Sequence, residues 1–184
     1  VVYGEPAIIA AISKRCYVQA EKSDGVEIES KELKEIAFVS LEEINSFTKQ
    51  IIKLWQRCYK KRVFSDLFSA MKQDSINYAK IAVGLSLKKL QIKDGCFLKI
   101  KSDIPFGAGV GSGAALAVAT VKAISGLYGK TLSQKKVNDL AFEIEKIAQL
   151  DELKIEDKME KLEIEKVQLD NKIQITNWTM KLLD

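Results

Sequence analysis

Four of the ten glycines in this 184-residue chain fall at alternate positions, 107, 109, 111 and 113, inside the stretch PFGAGVGSGAA that occupies residues 105–115. An alternating segment from Cys96 to Ile104 runs into it, and an apolar segment from Ala114 to Ile124 leaves it. This is the pattern of a strand passing through an open loop into the start of a helix. Lacking Cβ atoms, such a loop lets successive backbone N–H groups converge on one point, and the helix start adds unpaired amides and the positive end of its dipole. The chemistry on offer is the binding of an anion, above all a phosphate. Packing alone is a poor explanation: one or two glycines let a helix close on a sheet, and four cost conformational entropy that packing does not return.

Among phosphate-binding patterns, two fail. A Walker A loop needs Lys-Ser/Thr after its glycines, and none follows here. A dinucleotide fingerprint can be laid on Gly109-Val-Gly111-Ser-Gly-Ala114, but no acidic residue lies between Asp103 and Asp139, where the ribose-binding carboxylate belongs. The chain also contains no histidine, which removes Ser-His-Asp triads, Cys-His pairs and histidine-ligated metals. Catalysis here would have to rely on carboxylates, lysines, backbone amides or a cofactor.

The elements that must hold the loop follow from periodicity. The β-branched and small run Ala7 to Ala20, the turn Ser23-Asp24-Gly25 and the alternating Val26 to Ser30 read as a hairpin with one wet face, and Leu33 to Leu41 as a third strand. From Leu41 the period changes to that of an amphipathic helix, with Ile44, Phe47, Ile51, Leu54/Trp55 and Cys58 on one stripe and the basic patch Lys60-Lys61-Arg62 as its solvated end. A short segment with Phe64, Leu67, Phe68 and Met71 follows, then a helix carrying Ile76, Ala79, Val83, Leu87 and Leu90. Lys93-Asp94-Gly95 turns the chain into the strand before the loop. After it, Ala114 to Ile124 is apolar on all sides, and Ser133 opens a last helix with the stripe Val137, Leu140/Ala141, Ile144, Ile147/Ala148. Strands, then helices, then strand, loop, helix and helix make an α+β arrangement.

Hydrophobic residues at 47% and charged residues at 29% are globular values. No window is long and apolar enough for a membrane span, and three widely spaced cysteines, Cys16, Cys58 and Cys96, form neither a disulfide framework nor a zinc pattern. The expectation is a cytoplasmic protein with its thiols in the core. A formal charge of +4 suits a phosphate-bearing partner but lacks the dense basic stripe of a nucleic-acid binder. The charge is uneven: residues 151–170 hold four lysines against eight acids. That tail reads as a charged helix with Ile155, Met159, Leu162 and Leu169 at helical spacing and Asp157 four before Lys161, ending in the weakly alternating Lys172 to Trp178. The expected organisation is a domain over 1–150 and a mainly helical tail over 151–184.

Pro105-x-x-x-Gly109-Val-Gly111-Ser112-x-Ala114 resembles the P-x-x-x-G-L-G-S-S-A loop of the GHMP kinases. Two more stretches resemble that family's mevalonate-kinase branch, in family order. Val1-Val-Tyr-Gly-Glu-Pro-Ala7 is similar to its H-A-V-V-Y-G-x-P-A segment, and Phe142-Glu-Ile-Glu-Lys-Ile-Ala148 to the helix leading into its H-G-x-P-S-G-x-D. The resemblance implies a ribosomal-protein-like N-terminal domain followed by a ferredoxin-like one, and transfer of the γ-phosphoryl group of ATP to a small alcohol such as mevalonate, with homoserine or phosphomevalonate as alternatives. It implies that Gly107, Ala108, Gly109, Val110, Gly111, Ser112 and Gly113 cradle the ATP phosphates and that Glu145 is the carboxylate for Mg²⁺. It implies no nucleic-acid or membrane partner and leaves a homo-oligomer open.

The chain departs from the family pattern in four places. Gly113 replaces the second serine, whose hydroxyl is a magnesium ligand in the family. The phosphate-facing lysine and the G-E-H-A box, which precede the first match, are not in the sequence. Where G-x-P-S-G-x-D and its catalytic aspartate belong, the chain reads Gln149-Leu-Asp-Glu-Leu-Lys-Ile-Glu-Asp157, without Pro or Gly. Nothing long enough for the second domain follows. The resulting expectation is an N-terminal kinase domain, inactive or nearly so alone and with no catalytic residue assigned; the alternative is a degenerate, non-catalytic nucleotide-binding or assembly module.

Overall fold

A computed structural model of the chain describes residues 12–105 and 109–148. Gly107 and Ala108 of the glycine stretch, the segment Val1 to Ala7 and the whole tail from 151 lie outside these residues. Four strands, β1 (Cys16–Ser23), β2 (Val26–Ser30), β3 (Glu35–Val39) and β4 (Gly95–Ser102), form one mixed sheet. Among the described residues five helices accompany it: α1 (Leu41–Lys61), α2 (Ser65–Lys72), α3 (Asn77–Lys89), α4 (Ser112–Leu127) and α5 (Gln134–Ala148).

The expected hairpin of the first two strands is corrected by the strand order, β1-β4-β2-β3. β4 lies between them, antiparallel to β1 with Val18 opposite Ile100, and parallel to β2 with Ile28 opposite Leu98. The hairpin is instead β2 with β3, Ile28 facing Ala37. The reason is burial. Cys96, Leu98 and Ile100 of β4 are all within 1% of complete burial, and a strand whose apolar face is sealed to that degree belongs at the centre, paired along both edges. Gly95 makes the insertion possible, because any Cβ there would run into the backbone of Ser23 and Gly25 in the turn above it.

One face of the sheet carries the core. Val26, Ile28, Cys96, Leu98 and Ile100 pack against Ile76, Ala79, Val83 and Leu87 of the α3 region and Leu116 and Ile124 of α4, with Ile44 of α1 closing the cluster. The opposite face holds Glu27, Glu29 and Lys99, with a Lys99–Glu29 ion pair at 3.1 Å. It is less wet than the sequence predicts: Ile36 and Phe38 of β3 are among the exposed hydrophobics of the described residues. α1 begins at a capping box, in which the Ser40 hydroxyl accepts from the Glu43 amide at 3.2 Å and the Ser40 amide donates to Glu43 Oε2 at 2.8 Å. Its exposed basic end terminates at Arg62, whose guanidinium lies over the Tyr59 ring.

Candidate functional site

β4 delivers the chain to the glycine stretch along a path fixed at its edge. The Asp103 amide donates to the Arg15 carbonyl at 2.8 Å, and the Ile104 amide donates to Ser102 Oγ at 3.1 Å. Beyond Pro105 the described chain resumes at Gly109. Gly109 and Gly111 have φ of +68° and +82°, a left-handed conformation that L side chains rarely adopt. A Cβ at either would meet no atom of the described residues within 4 Å, so the turn is open on the side of the described domain.

Gly111 is also the N-cap of α4, and no side chain caps that end. The first intrahelical bond runs from the Ala115 amide to the Gly111 carbonyl at 3.0 Å. The amides of Ser112, Gly113 and Ala114 precede it and lack a partner within the helix. No acidic residue stands in the first turn of α4. An open left-handed turn, three amides without an intrahelical partner and the positive end of a 16-residue helix make a place for an anion.

Glu145 comes to this place from the far end of the domain's sequence. It lies on α5, whose buried stripe Val137, Leu140, Ala141, Ile144, Ile147 and Ala148 is the predicted one. A Cβ built on Gly113 would stand 2.7 Å from Glu145 Oε1, so the carboxylate sits against the first turn of α4. The Tyr78 hydroxyl, from the first turn of α3, donates a hydrogen bond to the same oxygen. Tyr78 is a site residue that the sequence reading passes over. Only the neighbouring Ile76 and Ala79 belong to the apolar stripe of that helix, and nothing local links residue 78 to residue 145.

No ligand is needed to see what the donors suit. Among the described residues no group of three or more His, Cys, Asp and Glu side chains could hold a metal ion. One carboxylate beside an uncapped helix start fits Mg²⁺, which keeps several waters and takes one or two carboxylates together with substrate phosphate oxygens. At Cys16, beside Ser102 at the strand end, burial pushes the thiol up to about 11, against a lowering by the Ser102 hydrogen bond, which disfavours the nucleophilic thiolate. Cys96 is pushed by burial to about 12. Two clefts, of about 330 and 550 Å³, share the lining Gly129, Lys130, Thr131 and Leu132 at the opposite end of α4. At a rise of 1.5 Å per residue that is roughly 24 Å from Gly111, too far to belong to the loop.

Residues 77–152 match the family described as GHMP kinases N terminal domain. Over that stretch the chain matches the N-terminal domain of the GHMP kinases. It is 32% identical over 151 residues to the mevalonate kinases of Thermococcus sibiricus and Pyrococcus horikoshii, an overlap of 81% of this chain and 40% of each relative. The chain thus matches well under half the length of these relatives. The crystal structure of the Methanococcus jannaschii mevalonate kinase superposes with a TM-score of 0.52 at 26% identity, over 72% of this chain and 36% of that one. Another mevalonate kinase crystal structure gives 0.52 at 25% identity, over 73% and 37%. The mixed α/β domain with its four-stranded sheet is therefore the fold of the N-terminal domain of those kinases. No helix of the described residues is long and apolar enough to cross a membrane.

Proposed function

We propose that this domain binds the phosphates of ATP along residues 107–113, of which 109–113 form the described turn and helix start, with Glu145 as the protein ligand to the accompanying Mg²⁺. It serves a kinase whose substrate is a small alcohol, mevalonate in the first place. The observation that carries the reading is the meeting of Glu145 with the open, uncapped start of α4. Gly109 and Gly111 keep the approach clear, and the amides of residues 112–114 supply donors that need no reorganisation when an anion arrives. When bound, Mg²⁺ would neutralise phosphate charge and so favour phosphoryl transfer. Glu145 would hold it where the helix dipole already attracts the phosphates.

Gln149 to Asp157 carries no counterpart of the P-S-G-x-D aspartate. We therefore assign this chain nucleotide binding without turnover, the chemistry requiring groups from elsewhere. Calorimetric titration of the purified chain with ATP, pyrophosphate and adenosine tests both parts. ATP and pyrophosphate should compete for one site, adenosine should bind at least tenfold more weakly, and Gly111→Val should abolish binding. Equal binding of adenosine would refute the phosphate site, and steady release of ADP by the chain with mevalonate present would refute the lack of turnover.

A further inference from the structure

We propose that Tyr78 is the positioning residue for the Glu145 carboxylate, and that position 113 is glycine because the Tyr78–Glu145 pair fills the space a side chain there would need. The inference rests on the reading of Glu145 as a magnesium ligand and adds to it the group that aims the ligand.

Three helices meet at this point: Tyr78 stands in the first turn of α3, Gly113 in the first turn of α4, and Glu145 one turn from the end of α5. The phenol donates to Glu145 Oε1 across 67 positions of sequence, in partly buried surroundings. From the site of a Cβ on Gly113, Glu145 Oε1 lies at 2.7 Å, the Tyr78 hydroxyl oxygen at 3.0 Å and Tyr78 Cε2 at 3.2 Å. The first is closer than a methyl group accepts, the other two are tight enough that their neighbour must give way, and all three come from only two side chains. A glutamate on its own would swing aside, since its end is flexible and three torsions control it. Here the swing breaks a hydrogen bond to a stiffer side chain with two torsions. The obstacle at position 113 is therefore the pair, not either member.

The same bond orients the carboxylate. A phenol has one proton to donate, and an ionised carboxylate has about four acceptor positions, so accepting it fixes the plane of the group without exhausting its capacity. Partners that hold a ligand in one rotamer cut the entropy lost when the metal arrives, and removing such a partner typically costs roughly 10–100-fold in metal affinity. The missing serine hydroxyl at position 113 gains a physical explanation as well. With Tyr78 in place the room for that side chain is taken, and the constraint on Glu145 comes from the phenol instead.

Nucleotide affinity with and without metal tests the proposal on the purified chain. ATP is titrated in excess EDTA and in excess Mg²⁺, and the ratio of the two dissociation constants is the metal increment. The wild-type chain should show an increment and Glu145→Gln should lose it. Tyr78→Phe, which keeps the ring, should reduce it at least threefold while leaving the EDTA value within twofold. If Tyr78→Phe retains the full increment, or weakens both conditions alike, the positioning role is overturned while the nucleotide site stands. If the wild-type chain shows no increment, the magnesium reading and the positioning role fall together. The steric half is read by melting: Gly113→Ala should lower Tm by at least about 2 °C more in the wild-type chain than in Tyr78→Phe or in Glu145→Ala. Equal shifts in all three backgrounds overturn it, and the Glu145→Ala background decides the matter even if Tyr78→Phe fails to fold.

Discussion

At Gly95, where β4 begins, a side chain would strike the backbone of Ser23 and Gly25; at Gly111, where the loop that follows β4 ends, it would meet nothing within 4 Å. The first glycine is squeezed by its own protein. The second is held in a left-handed conformation with empty space over it. Gly84, buried in α3, belongs with the first: its added Cβ would collide with the Thr48 hydroxyl of α1, itself bonded to the Ile44 carbonyl at 2.7 Å. A crowded glycine records contact between parts of the chain. An open left-handed one can simply end a helix, as Gly129 does after α4, but Gly109 and Gly111 stand before an uncapped helix start, which is why the loop and not the helix interface is the place to look for a ligand.

Substitution by alanine at these three positions separates the two kinds, in order of expected effect. Gly95→Ala pits a methyl group against backbone, which cannot move without unpairing β1 from β4. It should cost about 3 kcal/mol or more, read as a fall in Tm of roughly 6 °C or more with nucleotide binding lost only through unfolding. Gly84→Ala meets a side chain, and replacing a helical glycine returns about 1 kcal/mol, so a net loss of about 1–2 kcal/mol is expected. Adding Thr48→Ala should recover at least half of it in the same melting assay. Gly111→Ala should cost about 1 kcal/mol from its φ alone. Unlike the other two, it should weaken ATP binding in calorimetry under conditions where the chain is fully folded. A Gly111→Ala chain that melts below Gly95→Ala, or that binds ATP as the wild type does, would break the distinction.

Much of this fold can be read along the chain, because much of it is local. The stripe from Ile44 to Cys58 announces α1, Ser133 announces α5, and the alternation from Cys96 to Ile104 followed by four spaced glycines announces the strand, loop and helix start. What cannot be read is who stands beside whom. The turn Ser23-Asp24-Gly25 looks the same whether the strands on either side pair directly or part to admit a third. Only the burial of β4 on its apolar face, and the lack of a side chain at Gly95, decide for the latter. Glu145 is visible through the likeness of its helix to a known family, but its hydrogen-bond donor is not. Tyr78 carries no periodic or motif signal, and its role exists only where three helices converge.

The place of β4 in the sheet also bears on how the domain is made. About 65 residues, enough for three helices, separate the end of β2 from the start of β4. On a chain synthesised from its N-terminus, the hairpin of β2 with β3 and the helix α1 can assemble from neighbours, while the inner edges of β1 and β2 wait for the strand that joins them. Closing the sheet is a late, long-range event of the slow kind, and until it happens two strand edges are open to wrong partners. The glycine loop follows that last strand, so the turn proposed to take phosphates depends on the completed sheet for its position.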